Sequence, residues 1–229
     1  MQDSAFAQQS GETFAQSSHI DHLHNQIHDE STGMFGFFET ADDYAVAQAL
    51  LATARDWVRR WGMATLRGPL SFSQNHECGA LIEGDAGPPT LMMSYNPRCY
   101  VEFYERFGLS KAMDMYAYLF DLTQFGGDAG KLPPRLIRLA EKVRERTRAT
   151  MRSFNEKTLV EDIQKIKEIY NQAWKENWGF TPLTNAEADK MAVDLLRIYD
   201  PALVVGVEVM ANRPAYHSPF PTTTRRSNT

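Results

Sequence analysis

The chain has 229 residues, of which 43% are hydrophobic and 23% charged, and its formal net charge is −5. That length buries one large core or two small ones. The mild acidity excludes the concentrated basic face that nucleic-acid phosphates require, and the sequence has no apolar run of about 18 residues that would span a bilayer.

The opening MQDSAFAQQSGETFAQ lacks the basic start and apolar core of a secretion signal. Cys78 and Cys99 are too few for a disulfide framework and lack zinc-like spacing. A reducing, cytoplasmic setting is the expectation.

In chain order, AFAQQSGETFAQSSH alternates weakly about Ser10-Gly11-Glu12 and reads as a hairpin with a glycine turn. HIDHLHNQIHDE, residues 19–30, reads as a polar loop. GMFGFFE, residues 33–39, reads as a buried strand. TADDYAVAQALLATARDWVRRWG opens on a capping candidate, Thr40 or Asp42. It carries Val46, Leu50, Ala54, Trp57, Val58 and Trp61 at helical spacing and stops at Gly62. MATLRGPLSF reads as a strand broken at Gly68-Pro69, SQNHECGALIEGDAGPP as loop, and TLMMSYN as a short strand. Pro97 starts a helix that Gly108 ends. LSKAMDMYAYLFDL alternates and reads as a strand.

FGGDAGKLPP, residues 125–134, has linker composition. Beyond it lie a basic helix in RLIRLAEKVRERT, a strand in ATMRSFN, a long amphipathic helix in TLVEDIQKIKEIYNQAWKENWG, a helix in TNAEADKMAVDLLRIYD and a strand in ALVVGVEV. Residues 210–229 are polar and proline-rich, without apolar periodicity, and are expected to be disordered.

Four of the six histidines, His19, His22, His24 and His28, lie within ten positions. No single element presents three of them together, as zinc requires, so no metal is expected. Polar loop residues and a proton-handling histidine are the alternatives.

The blocks FGFFE, RGP, NPxxY and NWGF, in this order, resemble a bacterial family related to the GNAT N-acetyltransferases. That family comprises the YghO-like proteins and the bacterial ceramide synthases. The resemblance runs over most of residues 19–209. It implies an α+β, GNAT-like mixed sheet flanked by helices, with one near-complete module in residues 1–124 that lacks its first elements. A linker at 125–134 and the start of a second module at 135–209 follow. It also implies an acyl-CoA or acetyl-CoA co-substrate and an amine acceptor, a sphingoid-type lipid amine among the candidates. A non-catalytic protein that keeps the fold as a binding or scaffold module is the alternative.

The resemblance further implies roles for particular residues. Phe37, Phe38, Glu39 and Asn96 would contact the CoA donor. In SQNHECG, just after a strand, Glu77 or His76 could serve as base for the incoming ammonium, and by the resemblance Tyr100 or Tyr104, sharing a helix face at i and i+4, would protonate the leaving thiolate. Asn75, Trp174, Asn177, Trp178 and Phe180 would wall the acceptor site. For each group the plain alternative is packing or loop hydrogen bonding.

Such folds hold the CoA pyrophosphate on backbone N–H groups of a glycine-rich turn at a helix N-terminus. Here that turn is TADDYAVA, with no glycine and two aspartates. Where the family continues past VVGVEV with a G-K-P-x-G turn, this chain has MANRPAYHSPFPTTTRRSNT. Synonymous codons for that tail, shifted by two bases, can encode a glycine turn followed by an apolar strand. The expectation is an out-of-frame tail on a longer protein, and weak or no activity in this chain. The basic helix at 135–146 reads as a solvated helix face, with peripheral contact with an anionic membrane surface as the alternative.

Overall fold

The computed structural model describes residues 6–9, 12–84, 87–90, 93–119, 121, 123, 126, 131–153, 158–197, 200 and 204–209, with side chains from Gln16 onward except at 159, 160 and 195. The tail 210–229 lies outside these residues. The architecture is mixed α and β, consistent with an α+β class. The described residues fall into two compact units, one comprising 1–116 and 174–182, the other 117–173 and 183–229.

The first unit holds β1 (Phe6–Gln9), β2 (Glu12–His19), α1 (His22–His28), β3 (Thr32–Glu39), α2 (Tyr44–Arg60), β4 (Thr65–Arg67) and α3 (Cys99–Phe107). The sheet order is β1-β2-β3-β4. β1 and β2 form the expected antiparallel hairpin, pairing Gln9 with Glu12. β2 and β3 are antiparallel, whereas β3 and β4 are parallel, and α2 supplies the crossover that parallel neighbours need.

The core lies where α2 and α3 cover β3. Phe35 and Phe38 pack with Ala47, Leu50, Leu51, Ala54, Tyr100 and Phe103. The buried stripe of α2 is Ala47, Leu50, Leu51, Ala54 and Val58, at the spacing of one helix face. It is rotated from the stripe read from sequence, for Trp61 is 54% exposed. Asp43, not Thr40 or Asp42, caps α2, its carboxylate accepting from the Ala45 N–H at 2.8 Å. Gly108 ends α3 in the left-handed region, its N–H returning to Glu105 and Tyr104.

Three local expectations are corrected. The histidine stretch contains a helix, α1, because Asp21 caps it on the His24 N–H at 2.9 Å and Asp29 closes it with φ 52°. Residues 109–119 form no strand. Tyr118 and Leu119 are almost fully exposed, and alternation without a partner ladder leaves the backbone to water. In 90–96, residues 93–96 likewise form no strand. Side chains tie them instead, Ser94 donating to the Cys78 carbonyl and Asn96 accepting from the Leu81 N–H.

The second unit contains α4 (Pro134–Thr147), β5 (Thr150–Ser153), α5 (Leu159–Trp174, its final residue in the first unit), α6 (Asn185–Leu195) and β6 (Val205–Glu208). β5 and β6 pair antiparallel. Arg152 of β5 forks onto the buried Asp162 of α5 and also reaches Glu208 of β6. Burial opposes ionisation of Asp162, but the larger Arg152 hydrogen bonds, with one from Thr158, bring its carboxyl down to about 2. Thr184 and Glu187 close a reciprocal capping box on α6.

Candidate active site

β3 is not a regular strand. Ala15 faces Glu39 and Ser17 faces Gly36, so β3 carries one extra residue. This is a bulge, and Phe37 takes it up with φ 48°. The neighbouring loop approaches at Gly36, where a Cβ would sit 1.9 Å from the Leu70 carbonyl oxygen, so only glycine fits. Leu70 N–H donates to the Phe35 carbonyl at 2.7 Å, and Phe37 N–H to Ser71 Oγ at 3.2 Å. Phe72 also has a left-handed backbone, φ 83°, and its ring meets Phe37 edge-on with centroids 4.8 Å apart. A left-handed phenylalanine is uncommon, and such strain gathers at functional sites.

Beside the bulge lies a pocket of about 330 Å³ lined by Phe37, Phe38, Glu39, Pro69, Ser71, Glu77, Gly79, Asn96, Tyr100 and Tyr104. That is the low end of ligand pockets, roughly 300–1,000 Å³. The lining has two carboxylates and no basic residue, so it favours a cation over an anion. Seven residues that the resemblance had assigned to donor binding or chemistry, Phe37, Phe38, Glu39, Glu77, Asn96, Tyr100 and Tyr104, stand around this one cavity.

The two tyrosines differ. Tyr100 Oη lies 2.8 Å from Glu39 Oε1 and 3.1 Å from the Thr40 carbonyl, and it accepts from the Thr40 N–H at 2.9 Å. With one hydroxyl proton, it donates to one of the two oxygens at a time. Burial pushes its pKa up to about 12; Glu39 adds to the rise and the Thr40 N–H opposes it. Tyr104 packs its ring against Phe35 and Phe38, and its hydroxyl has no hydrogen bond among the described residues. Burial raises its pKa strongly, with Tyr100 and Glu39 contributing. Its phenol is therefore protonated across the physiological range and available as a donor.

Asn75, Trp178 and Phe180 do not line the pocket. They belong to a clamp by which α1 and the loop after β4 hold residues 177–182. His28 Nε2 donates to the Phe180 carbonyl at 2.9 Å, Asn75 Nδ2 to the Thr181 carbonyl at 2.9 Å, and Thr181 Oγ1 to Asp21 Oδ2 at 3.2 Å. The Arg67 guanidinium stacks over Trp178 at 4.9 Å. Asn177 and Trp174 are exposed and also stand away from the cavity, at the turn where the Asn177 N–H returns to the Trp174 carbonyl.

Beneath the clamp, Glu30 receives Arg67 on both oxygens, at 2.8 and 3.1 Å, and Thr32 Oγ1 at 2.9 Å, while His24 Nε2 stands 3.2 Å away. Burial would raise the Glu30 carboxyl. The hydrogen bonds from Arg67, His24 and Thr32, with the charge of Arg67, outweigh it and hold the pKa at about 2. Among the described residues no group of three His, Cys, Asp or Glu side chains could hold a metal ion, and both cysteines are free thiols.

Protein YghO of Escherichia coli is 34% identical to the chain over 176 residues, 77% of this chain and 43% of that protein. The bacterial ceramide synthase of Caulobacter vibrioides is 34% identical over 172 residues, 75% of this chain and 43% of that protein. The chain is a homologue of these proteins. It spans less than half the length of either relative. No protein-family model matches the chain, and no solved structure does.

The clamp and the bulge carry no motif in the sequence. Asn25, which both donates to and accepts from the Thr32 backbone at 3.0 Å, and Arg67, at the end of β4, had been given no role. The signal available for Arg67 was its place in the RGP block, immediately before the glycine that packs on Phe35.

Proposed function

We propose that this chain carries the reaction pocket of a GNAT-like N-acyltransferase, which moves an acyl group from an acyl-CoA or acetyl-CoA thioester to an amine. A long-chain, sphingoid-type amine is the leading acceptor, and the setting is cytoplasmic. The observation that carries this reading is the meeting of Glu39, Glu77 and Tyr104 around one aromatic pocket without a basic residue. The name of the Caulobacter relative, bacterial ceramide synthase, supports an acyl transfer.

In this reading the amine arrives as an ammonium ion, held by the carboxylates and the aromatic faces. A carboxylate, Glu39 or Glu77, takes one proton. The neutral nitrogen attacks the thioester carbonyl, the C–N bond forms and the C–S bond breaks. Tyr104 gives its proton to the departing thiolate, and the second proton, shed by the nitrogen as the amide forms, restores the Tyr104 phenol. Tyr100 is a positioning residue, since its hydroxyl is committed to Glu39 and Thr40.

The pyrophosphate of a CoA donor does not fit the N-terminus of α2. Asp43 already occupies the Ala45 N–H, and Asp42 stands beside it, so like charge faces the phosphates. The same cap favours the second reading, a non-catalytic binding or scaffold module.

Mass spectrometry of the amide product tests the two. Incubation with a long-chain acyl-CoA and a sphingoid amine is expected to give N-acyl amine at a low rate, which falls further with Tyr104→Phe. Absence of product, together with no thermal stabilisation by either substrate, favours the scaffold.

A further inference from the structure

We infer that α4 is a membrane-surface helix that rests its apolar face on an anionic lipid bilayer. The observation is the distribution of side chains around Pro134–Thr147. No residue of this 14-residue helix is buried, and Leu136, Leu139 and Val143 are 48%, 58% and 49% exposed. At 3.6 residues per turn these three fall on one side with Ala140, forming an unbroken apolar stripe.

The charges are arranged around that stripe. Arg135, Lys142 and Arg146 border it on one side, and Arg144 borders it on the other, beside the half-buried Ile137. Glu141 and Glu145 fall on the opposite side with Arg138. The helix holds five basic and two acidic residues, a net +3, within a chain of net −5. Among the described residues none of these charged side chains forms an ion pair or hydrogen bond. Apolar residues at the centre, cations at the flanks and acids pointing away are what an interface between headgroups and acyl chains selects. A protein-facing helix gains nothing from basic residues flanking the stripe while both acids face away. A merely solvated helix gains nothing from three large apolar side chains in line. Lysine and arginine at the borders reach the lipid phosphates while their methylene stems cover apolar surface.

The helix is too short to span a bilayer, and no helix among the described residues is long and apolar enough to do so. The contact is therefore peripheral. It does not depend on the proposed acyl transfer, because it uses none of the pocket residues.

The test is co-sedimentation of the chain with vesicles of phosphatidylcholine, alone or mixed with phosphatidylglycerol. Binding is expected to the mixed vesicles, to weaken with added salt, and to be absent from the neutral ones. Arg146→Glu, at the border of the stripe, is expected to lower the partition coefficient by roughly tenfold or more. Arg138→Glu makes the same change in net charge on the far side and is expected to change it less than about twofold. Leu139→Ser is expected to lower it as well. Circular dichroism checks that each variant keeps its helices. Equal losses for Arg146→Glu and Arg138→Glu would overturn the proposal, since net charge alone would then explain binding. So would self-association of the chain without vesicle binding, or no binding to either vesicle.

Discussion

The Tyr100 hydroxyl lies 2.8 Å from Glu39 Oε1 and accepts the Thr40 N–H at 2.9 Å, which ties α3 to the end of β3 at the rim of the pocket. Tyr104, one turn further along α3, has no such bond. Tyr100→Phe leaves a backbone donor without its acceptor and is expected to cost about 1–3 kcal/mol. Tyr104→Phe removes no hydrogen bond and is expected to change stability by less than about 0.5 kcal/mol, while slowing acyl transfer by about 100-fold or more. Urea unfolding and product assays on the two variants separate these effects. Equal loss of stability in both would contradict the assignment.

Gly36 sets how closely the loop after β4 lies on β3. A methyl group there collides with the backbone of Leu70, which cannot swing away as a side chain would. Gly36→Ala is expected to destabilise the chain by about 3 kcal/mol and to alter the bulge at Phe37. The near-ultraviolet circular dichroism of the surrounding aromatics should change with it. An unchanged spectrum and melting curve would show that the contact is not so tight.

The clamp on residues 177–182 should be weakened from either side. His28→Ala removes the donor to the Phe180 carbonyl, and Asn75→Ala the donor to the Thr181 carbonyl. Each is expected to cost about 1 kcal/mol and to speed amide exchange at 178–181 more than in the α2 core. Uniform acceleration across the first unit would mean that the segment is not held locally.

Acid should act in two windows. Burial holds His19 below its ordinary 6.5, opposed by the Phe72 backbone and Asp21, so the unfolded chain takes a proton first. The stability this contributes is present above pH 6.5 and is lost as pH falls below it. Glu30 is depressed from 4.5 to about 2. Its contribution is present above pH 4.5 and is lost as pH falls towards 2. Unfolding midpoints measured against pH should show both declines. Glu30→Gln should shrink the lower one, leaving the share of Asp162, whose carboxyl is also held at about 2, and leave the upper one in place.

Much of the frame was legible in the sequence because it is periodic. FGFFE announces a buried strand, YNPRCYVEFYERFG a helix with Pro and Gly at its ends, and the two together face the pocket. What was not legible depends on contacts made at long range. A phenylalanine at φ 48° leaves no mark in composition, and the bulge at Phe37 exists because Gly36 lets Leu70 close in. The histidine stretch has weak helix formers, and α1 holds because Asn25 grips Thr32 and His28 grips Phe180. Residues 109–119 alternate like a strand, yet no neighbour among the described residues supplies the ladder.

The most direct test of the central claim is calorimetric titration of the chain with a medium-chain primary amine, compared with the Glu39→Gln/Glu77→Gln double variant. The account predicts saturable binding of the amine that falls at least about tenfold when both carboxylates are neutralised. Binding of equal strength in both proteins, or none in either, would contradict the claim that this pocket receives the amine.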